Sequence, residues 1–162
     1  PKQNGVPSKR SLDPGAMRSF VAGLVMVERH APRRFTWRLM GTAVRTLTGV
    51  ELTGTDAFDF HTERQREKAI VAYNAQLDTP CGVWGVTILR GAGGYEIPVE
   101  VLVLPLRADD GEMRYLANTV ERVHDGRRFD SAAAVDMKLL AWPEHRFVDI
   151  GFGLPKFPRR RG

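Results

Sequence analysis

The clearest hydrophobic pattern in the chain is the alternation over residues 95–107, YEIPVEVLVLPLR. One set of alternate positions holds β-branched residues, Ile97, Val99, Val101 and Val103. The other set begins with charged residues and ends in three leucines, Leu102, Leu104 and Leu106. A period of two residues predicts a strand with one face in the core. Because monomers rarely expose such an apolar row, we expect a second copy of the chain, or a lid from its own ends, to cover the leucines.

Four further strands are predicted around this one. Residues 82–90 precede it across the Gly-rich turn GAGG, and residues 113–123 follow it after an acidic turn. Such short connections predict a three-stranded antiparallel meander. Residues 24–29 and 34–41 are rich in β-branched and aromatic residues, and their four-residue link predicts a hairpin near the start of the chain.

The best-marked helix begins after Thr62. A capping box joins Thr62 to Gln65, and Pro80 prevents continuation. Within this helix Ile70, Tyr73 and Leu77 share one face, which we expect to be buried.

Shorter helices are predicted on both sides of the first hairpin. Asp13 followed by Pro14 predicts a helix that runs to about Ala22. Residues 42–48 predict a helix that closes at Gly49, and a second turn-and-helix pattern surrounds Gly54.

The two ends of the chain carry weaker patterns. Residues 1–12 have no periodicity and are interpreted as a flexible basic arm, and residues 13–125 as the folded domain. Residues 126–162 are interpreted as a partly helical extension with a basic end, in which 131–142 is the candidate helix.

Charge is distributed unevenly along the chain. The formal net charge of +5 divides into +6 for residues 1–38, −5 for residues 39–125 and +4 for residues 126–162. A nucleic-acid-binding domain carries its basic residues on the folded surface, so we expect no nucleic-acid partner. The alternative is a nucleic-acid-associated regulator that uses the basic ends, including Arg159, Arg160 and Arg161.

Length and composition narrow the class of protein. A chain of 162 residues, 43% of them hydrophobic, fits one folded domain with tails. No apolar run is long enough to span a membrane, so we expect a cytoplasmic protein with no membrane partner. Cys81 is the single cysteine, and no His/Cys spacing typical of zinc occurs, so we expect no metal.

The order of elements resembles that of PAS domains: two strands, short helices, one longer helix and three antiparallel strands. The segments PSKRSLDP, RFTWRLMGTAVRTLTGVELTGTD and VEVLVLPLR are similar to those of the single-PAS proteins of alphaproteobacteria. The resemblance covers roughly residues 7–123 and implies an α+β fold: a five-stranded antiparallel sheet whose concave face holds the helices. It also implies a sensory or interaction module, whose convex face pairs with partners.

Neither catalytic residues nor a cofactor are expected. Haem-binding PAS domains use a histidine on the long helix, whereas His61 precedes its cap. Photosensory flavin domains need a cysteine in an asparagine-cysteine-arginine context, whereas Cys81 follows Pro80 at a strand entrance. Asp56 and Asp59 are interpreted as caps of a short helix rather than as a catalytic pair.

What remains is an apolar interior with aromatic side chains that a small ligand could share. The candidate pocket residues are Trp37, Phe58, Phe60, Tyr73, Trp84 and Tyr95. Core packing is the alternative interpretation of this set. We therefore expect a cytoplasmic signalling module without enzymatic activity that binds a protein partner and forms a homodimer, with or without a small apolar or aromatic ligand.

Overall fold

The computed structural model describes residues 5–59, 61–90, 96–123 and 139–156, and its centre is an antiparallel sheet. Six strands in the order β2-β1-β5-β4-β3-β6 form the sheet. Their bounds are β1 Leu24–Ala31, β2 Arg34–Met40, β3 Cys81–Arg90, β4 Glu96–Arg107, β5 Met113–Arg122 and β6 Leu139–Asp149. The predicted hairpin and meander are confirmed as β1–β2 and β3–β4–β5, and the sheet has one strand more than expected.

Two α-helices lie between the hairpin and the meander, α1 Thr42–Thr48 and α2 Glu63–Asp78. Helix α1 ends as predicted at Gly49, whose φ of 73° is the left-handed conformation that glycine adopts without strain. Helix α2 begins at the predicted capping box, where the side-chain oxygen of Gln65 accepts from the Thr62 amide at 2.8 Å. Within the described residues, no helix is long and apolar enough to cross a membrane.

The main core lies between the inner face of the sheet, helix α2 and the segment that precedes it. Val99 of β4, Phe35 of β2 and Leu77 of α2 are at most 1% exposed. The alternation of β4 is as predicted, because Ile97, Val99, Val101 and Val103 are all buried. This inner face therefore fixes the side of the sheet on which the helices pack.

The segment around Gly54 forms turns rather than the expected helix. Its backbone pairs with β2: the Trp37 amide donates to the Thr55 carbonyl at 3.0 Å, and the Gly54 amide donates to the Trp37 carbonyl at 2.7 Å. The unpaired edge of β2 thus supplies hydrogen bonds that compete with those of a helix.

The start of the chain corrects two expectations. Residues 5–12 were expected to be a flexible arm, but Val6 is 4% exposed and the Arg107 amide donates to the Pro7 carbonyl at 2.9 Å. This segment covers the outer end of β4, where Leu106 is 3% exposed beside Met26 and Tyr115. Of the two expected covers, a second copy and a lid from the chain's own ends, the lid is therefore the one found at Leu106, which is not available to an interface between copies.

The N-terminal helix expected from Asp13 to about Ala22 is also absent. Residues 14–20 form turns, followed by a short 3-10 helix at Val21–Gly23. The Asp13 carboxylate accepts from the Gly15 amide at 2.8 Å, as a helix cap does, and the Met17 amide donates to the Asp13 carbonyl at 3.0 Å. The cap therefore forms, but the turns after it do not continue as a regular helix.

The C-terminal extension contributes a strand, and its described part, residues 139–156, contains no helix. The helix expected over 131–142 is wrong for residues 139–142, which belong to β6, and residues 131–138 lie outside the described part. Strand β6 pairs antiparallel with β3, and Phe147 packs against the main core. Pairing satisfies the free edge of β3, which outweighs the local helical preference of this alanine- and leucine-rich sequence.

Candidate functional site

Three aromatic rings meet in the interior where β2, α2 and the segment before α2 converge. The ring centroids of Phe35 and Phe58 lie 5.5 Å apart, and each lies 5.5–5.6 Å from that of Tyr73. Edge-on and tilted contacts at these distances are those of a packed aromatic cluster. Burial raises the pKa of the Tyr73 hydroxyl to about 12. The three rings therefore form a packed cluster in the interior where a ligand pocket was expected.

Trp37 belongs to the same core cluster as Phe58, and Tyr73 packs against that cluster. Its side chain is 5% exposed, and its indole Nε1 has no hydrogen-bond partner in the described part of the chain. A buried N–H without a partner costs free energy, so this donor suits a water molecule or the acceptor of a small ligand.

Trp84 was expected in the pocket, but it lies on the opposite side of the sheet. It stands directly across from Leu102 in the β3–β4 ladder, and directly opposite residues share a face. Its indole Nε1 donates to the Glu100 carboxylate, and the Arg146 guanidinium lies 4.8 Å from its ring centroid. The alternation within β3 alone could not assign the face, because both faces of that strand carry apolar residues.

The remaining two pocket candidates, Phe60 and Tyr95, lie outside the described residues. Of the six candidates, the structure therefore brings together Trp37, Phe58 and Tyr73 and separates Trp84 from them.

An apolar patch occupies the middle of the outer face. Leu102 and Leu104 are 36% and 38% exposed, and Trp84 is partly exposed beside them. Gly82 lets Leu104 pack closely over β3, since a Cβ there would lie only 3.3 Å from the leucine's Cδ2. We call Trp84, Leu102 and Leu104 the outer patch. Of the three leucines expected at an interface, Leu102 and Leu104 belong to it.

Two carboxylates border the outer patch. Glu100 and Glu121 stand opposite each other in the β4–β5 ladder. Glu100 is two residues from Leu102 along β4 and therefore on the same face. Both glutamates are exposed, and like charges in directly opposite positions destabilise a sheet. Sequence reasoning missed this pair because it requires the register between β4 and β5.

His61 and Asp56, which were considered as a ligand and as a catalytic residue, make packing contacts and hydrogen bonds within the fold. His61 packs edge-on against Phe58 at 5.6 Å, and its pKa is lowered mainly by burial and also by Arg66. The Asp56 carboxylate accepts from the Phe58 amide at 2.7 Å and from Arg66 at 3.3 Å. Among the described residues, no group of three or more His, Cys, Asp or Glu is placed to hold a metal ion.

Cys81 is a buried thiol at the start of β3. Its exposed fraction is 0%, and burial, with a smaller effect of the charge on Asp149, raises its pKa. Since the thiolate is the reactive form, this environment makes Cys81 a poor nucleophile.

A cavity of about 500 Å³ lies on the surface between α1 and the end of β5, and it is open to solvent. Its lining is Thr42, Ala43, Thr46, Leu47 and Arg122. None of the predicted pocket residues contributes to it.

Comparison with protein families decides the identification. The PAS domain family matches residues 1–119, which is most of the chain. The chain belongs to the PAS domain family. The match ends in β5, so strand β6 lies beyond it. No curated protein matches the chain.

Solved structures resemble this PAS domain in fold. One is a Light-Oxygen-Voltage domain from work on a flavin analogue, with 16% identity, a TM-score of 0.51, and coverage of 68% of this chain and 84% of that chain. An RNA-binding Light-Oxygen-Voltage receptor has 17% identity and a TM-score of 0.51 over 74% of this chain and 36% of that chain. The dark structure of the blue-light photoreceptor Aureochrome1 LOV has 15% identity and a TM-score of 0.50, over 68% and 82%. At identities this low, the structural similarity shows a shared fold and nothing more specific.

The packed aromatic cluster leads to a stability prediction. Tyr73→Ala should lower the free energy of unfolding of this PAS domain by about 3–5 kcal/mol, because a large ring is removed from a filled interior. Denaturant unfolding measures this loss. Tyr73→Phe is the matched control, since it keeps the ring and should cost much less. A loss well below that range for Tyr73→Ala, together with stabilisation of the parent by small aromatic or acyl compounds, would show an open pocket instead.

Proposed function

We propose that this PAS domain is a non-catalytic cytoplasmic signalling module that acts by protein contact through the outer patch, and that a second copy of the chain is the first partner. The observation that carries this proposal is the exposure of Leu102 and Leu104, 36% and 38%, in the middle of an ordered sheet. Exposed apolar residues on an ordered surface mark contact sites.

Trp84 supports the proposal because its side chain is already held in place. The Glu100 carboxylate accepts from its indole, and Arg146 stacks on its ring. Tryptophan and arginine are frequent anchors of protein interfaces. An anchor that is ordered before binding loses little conformational entropy on association.

The charges around the outer patch favour a second copy as the partner. Arg146 lies on the β6 side of Trp84, whereas Glu100 on β4 and Glu121 on β5 lie on its other side. In a two-fold dimer, every contact occurs twice: if a residue of the first copy contacts a given residue of the second, the second copy makes the same contact to the first. Two sheets packed across the leucines can therefore place each Arg146 near the carboxylates of the other copy, which offsets the repulsion between Glu100 and Glu121.

A charge placed in the outer patch tests this interface. Leu104→Glu should convert the dimer into a monomer, because the new carboxylate would be desolvated at the contact without a partner. Sedimentation equilibrium measures the oligomeric state. Val71→Glu is the matched control, since Val71 is 53% exposed on α2, away from the outer patch. A Leu104→Glu protein that remains as dimeric as the parent contradicts the proposal.

A small ligand in the interior is the competing interpretation of the aromatic cluster. Trp37, with its unpartnered N–H, is the polar group that a small aromatic or apolar ligand could use. The Light-Oxygen-Voltage relatives raise flavin as one such ligand. The residues present do not fit a thiol adduct of flavin, because Cys81 is a strand residue with a 0% exposed side chain and a raised pKa.

We therefore predict that neither haem nor flavin co-purifies with the protein. His61 packs against Phe58 instead of lying along α2, where it could ligate haem iron. Cys81 is a buried residue at the start of β3 instead of a helical cysteine beside a flavin. An absorbance spectrum of the purified protein is the measurement. A Soret or flavin band that disappears in His61→Ala or Cys81→Ala would show the prediction to be wrong.

The alternative function, a nucleic-acid-associated regulator, is weakened by the ion pairs of the basic N-terminal region. Arginines of this region are engaged with carboxylates, in the pairs Arg10–Asp109, Arg29–Asp78, Arg33–Glu67 and Arg38–Glu28. Paired arginines have less charge to offer to phosphates. Protein contact through the outer patch is therefore the function that we favour.

A further inference from the structure

An ordered turn with exposed apolar side chains follows strand β6. Ile150 is 36% exposed, Phe152 47% and Leu154 50%. We call residues 149–154 the apolar turn. Three large apolar side chains within five residues are too many to be explained as isolated surface positions.

The backbone of the apolar turn is held in one conformation. One carboxylate oxygen of Asp149 accepts from the Gly151 amide at 2.7 Å and from the Gly153 amide at 3.0 Å. Both glycines have a positive φ, 105° and 84°, which other residues adopt only with strain. These hydrogen bonds lower the pKa of Asp149, so its carboxylate stays charged and keeps accepting. The turn is therefore built to present its side chains outwards.

Positive charge follows the apolar turn in the sequence. Lys156 comes two residues after Leu154, and Arg159, Arg160 and Arg161 come next. Over residues 145–162 there are five Lys and Arg residues against the single acidic residue Asp149, a formal charge of +4. The one carboxylate of this region is the acceptor of the two glycine amides.

We propose that the apolar turn and Lys156, which follows it, form a peripheral membrane-binding site for anionic lipid surfaces. Apolar side chains that enter the headgroup boundary and cations that face anionic lipids are two weak signals, and surface attachment needs both. Such a site needs exposed apolar side chains rather than a complementary pocket, and the three side chains of this turn are exposed.

The aliphatic members distinguish a lipid surface from a nucleic acid. Bases stack on aromatic rings, so Phe152 and the arginines alone would suit either partner. Ile150 and Leu154 have no base to stack on, whereas both gain from burial among acyl chains. The earlier expectation of no membrane partner rested on the lack of a spanning segment, and it does not address attachment to a membrane surface.

Vesicle co-sedimentation with the full chain tests the proposal. The parent should co-sediment with vesicles of phosphatidylcholine mixed with phosphatidylglycerol. It should remain in the supernatant when the vesicles are pure phosphatidylcholine. The double variant Phe152→Ser/Leu154→Ser should bind the anionic vesicles at least about tenfold more weakly, since two apolar side chains no longer enter the bilayer. Lys156→Gln should weaken binding about fivefold, the usual contribution of one cation near an anionic surface.

Matched controls separate this site from folding and from the outer patch. Val71→Ser makes the same kind of change at a residue 53% exposed on α2, and it should bind like the parent. An unchanged thermal unfolding midpoint shows that the double variant is folded. The double variant should keep the parent's oligomeric state in sedimentation equilibrium, so the two proposals can fail separately.

Three results would overturn the proposal. They are a parent that does not bind anionic vesicles, a parent that binds neutral vesicles equally well, and a double variant that binds as tightly as the parent. A single-stranded RNA that binds the parent in place of vesicles, with the same loss in the double variant, would assign the turn to nucleic acid instead.

Discussion

The structure depends on the two-residue alternation of β4 at the centre of the sheet. Its inner side chains, Val99 at 0% exposure and Val101 at 5%, belong to the core against which helix α2 and the aromatic rings pack. The same alternation leaves Leu102 and Leu104 on the outside, because neighbouring residues of a strand point to opposite faces. A shift of register by one residue would exchange the two faces and destroy the core. The buried interior and the exposed outer patch are therefore consequences of one pattern.

The two faces of the sheet differ in what they carry: the inner face holds the packed aromatic rings, and the outer face holds the exposed outer patch. On the inner face, Phe35, Phe58 and Tyr73 contact one another, and the indole N–H of Trp37 is among the buried polar groups without a partner in the described part of the chain. On the outer face, Trp84 is held between Glu100 and Arg146 next to exposed leucines. This arrangement favours contact between proteins over chemistry on a substrate. Strand β6 connects both faces, because Phe147 packs inwards while Arg146 stacks on Trp84.

The sequence predicted the elements whose signals are local. The Thr62 capping box, the left-handed Gly49 and the alternation of β4 each depend on residues a few positions apart, and all three are as expected. The errors concern long-range pairing. Strand β6 forms because β3 offers a free edge, and residues 5–12 are ordered because β4 accepts them, neither of which a short window of sequence contains. For the same reason, Trp84 was assigned to the wrong face and the Glu100–Glu121 pair was missed.

The central claim is that the inner face is filled by the protein's own side chains and that the outer face makes the contacts. A native mass spectrum of the purified protein tests both halves at once, because it reports the number of chains and any retained small molecule in the same species. The account predicts a species of twice the chain mass with no additional mass from a ligand. A monomer that carries a bound small molecule would contradict it, since the interior would then hold the ligand and the outer patch would lack its partner.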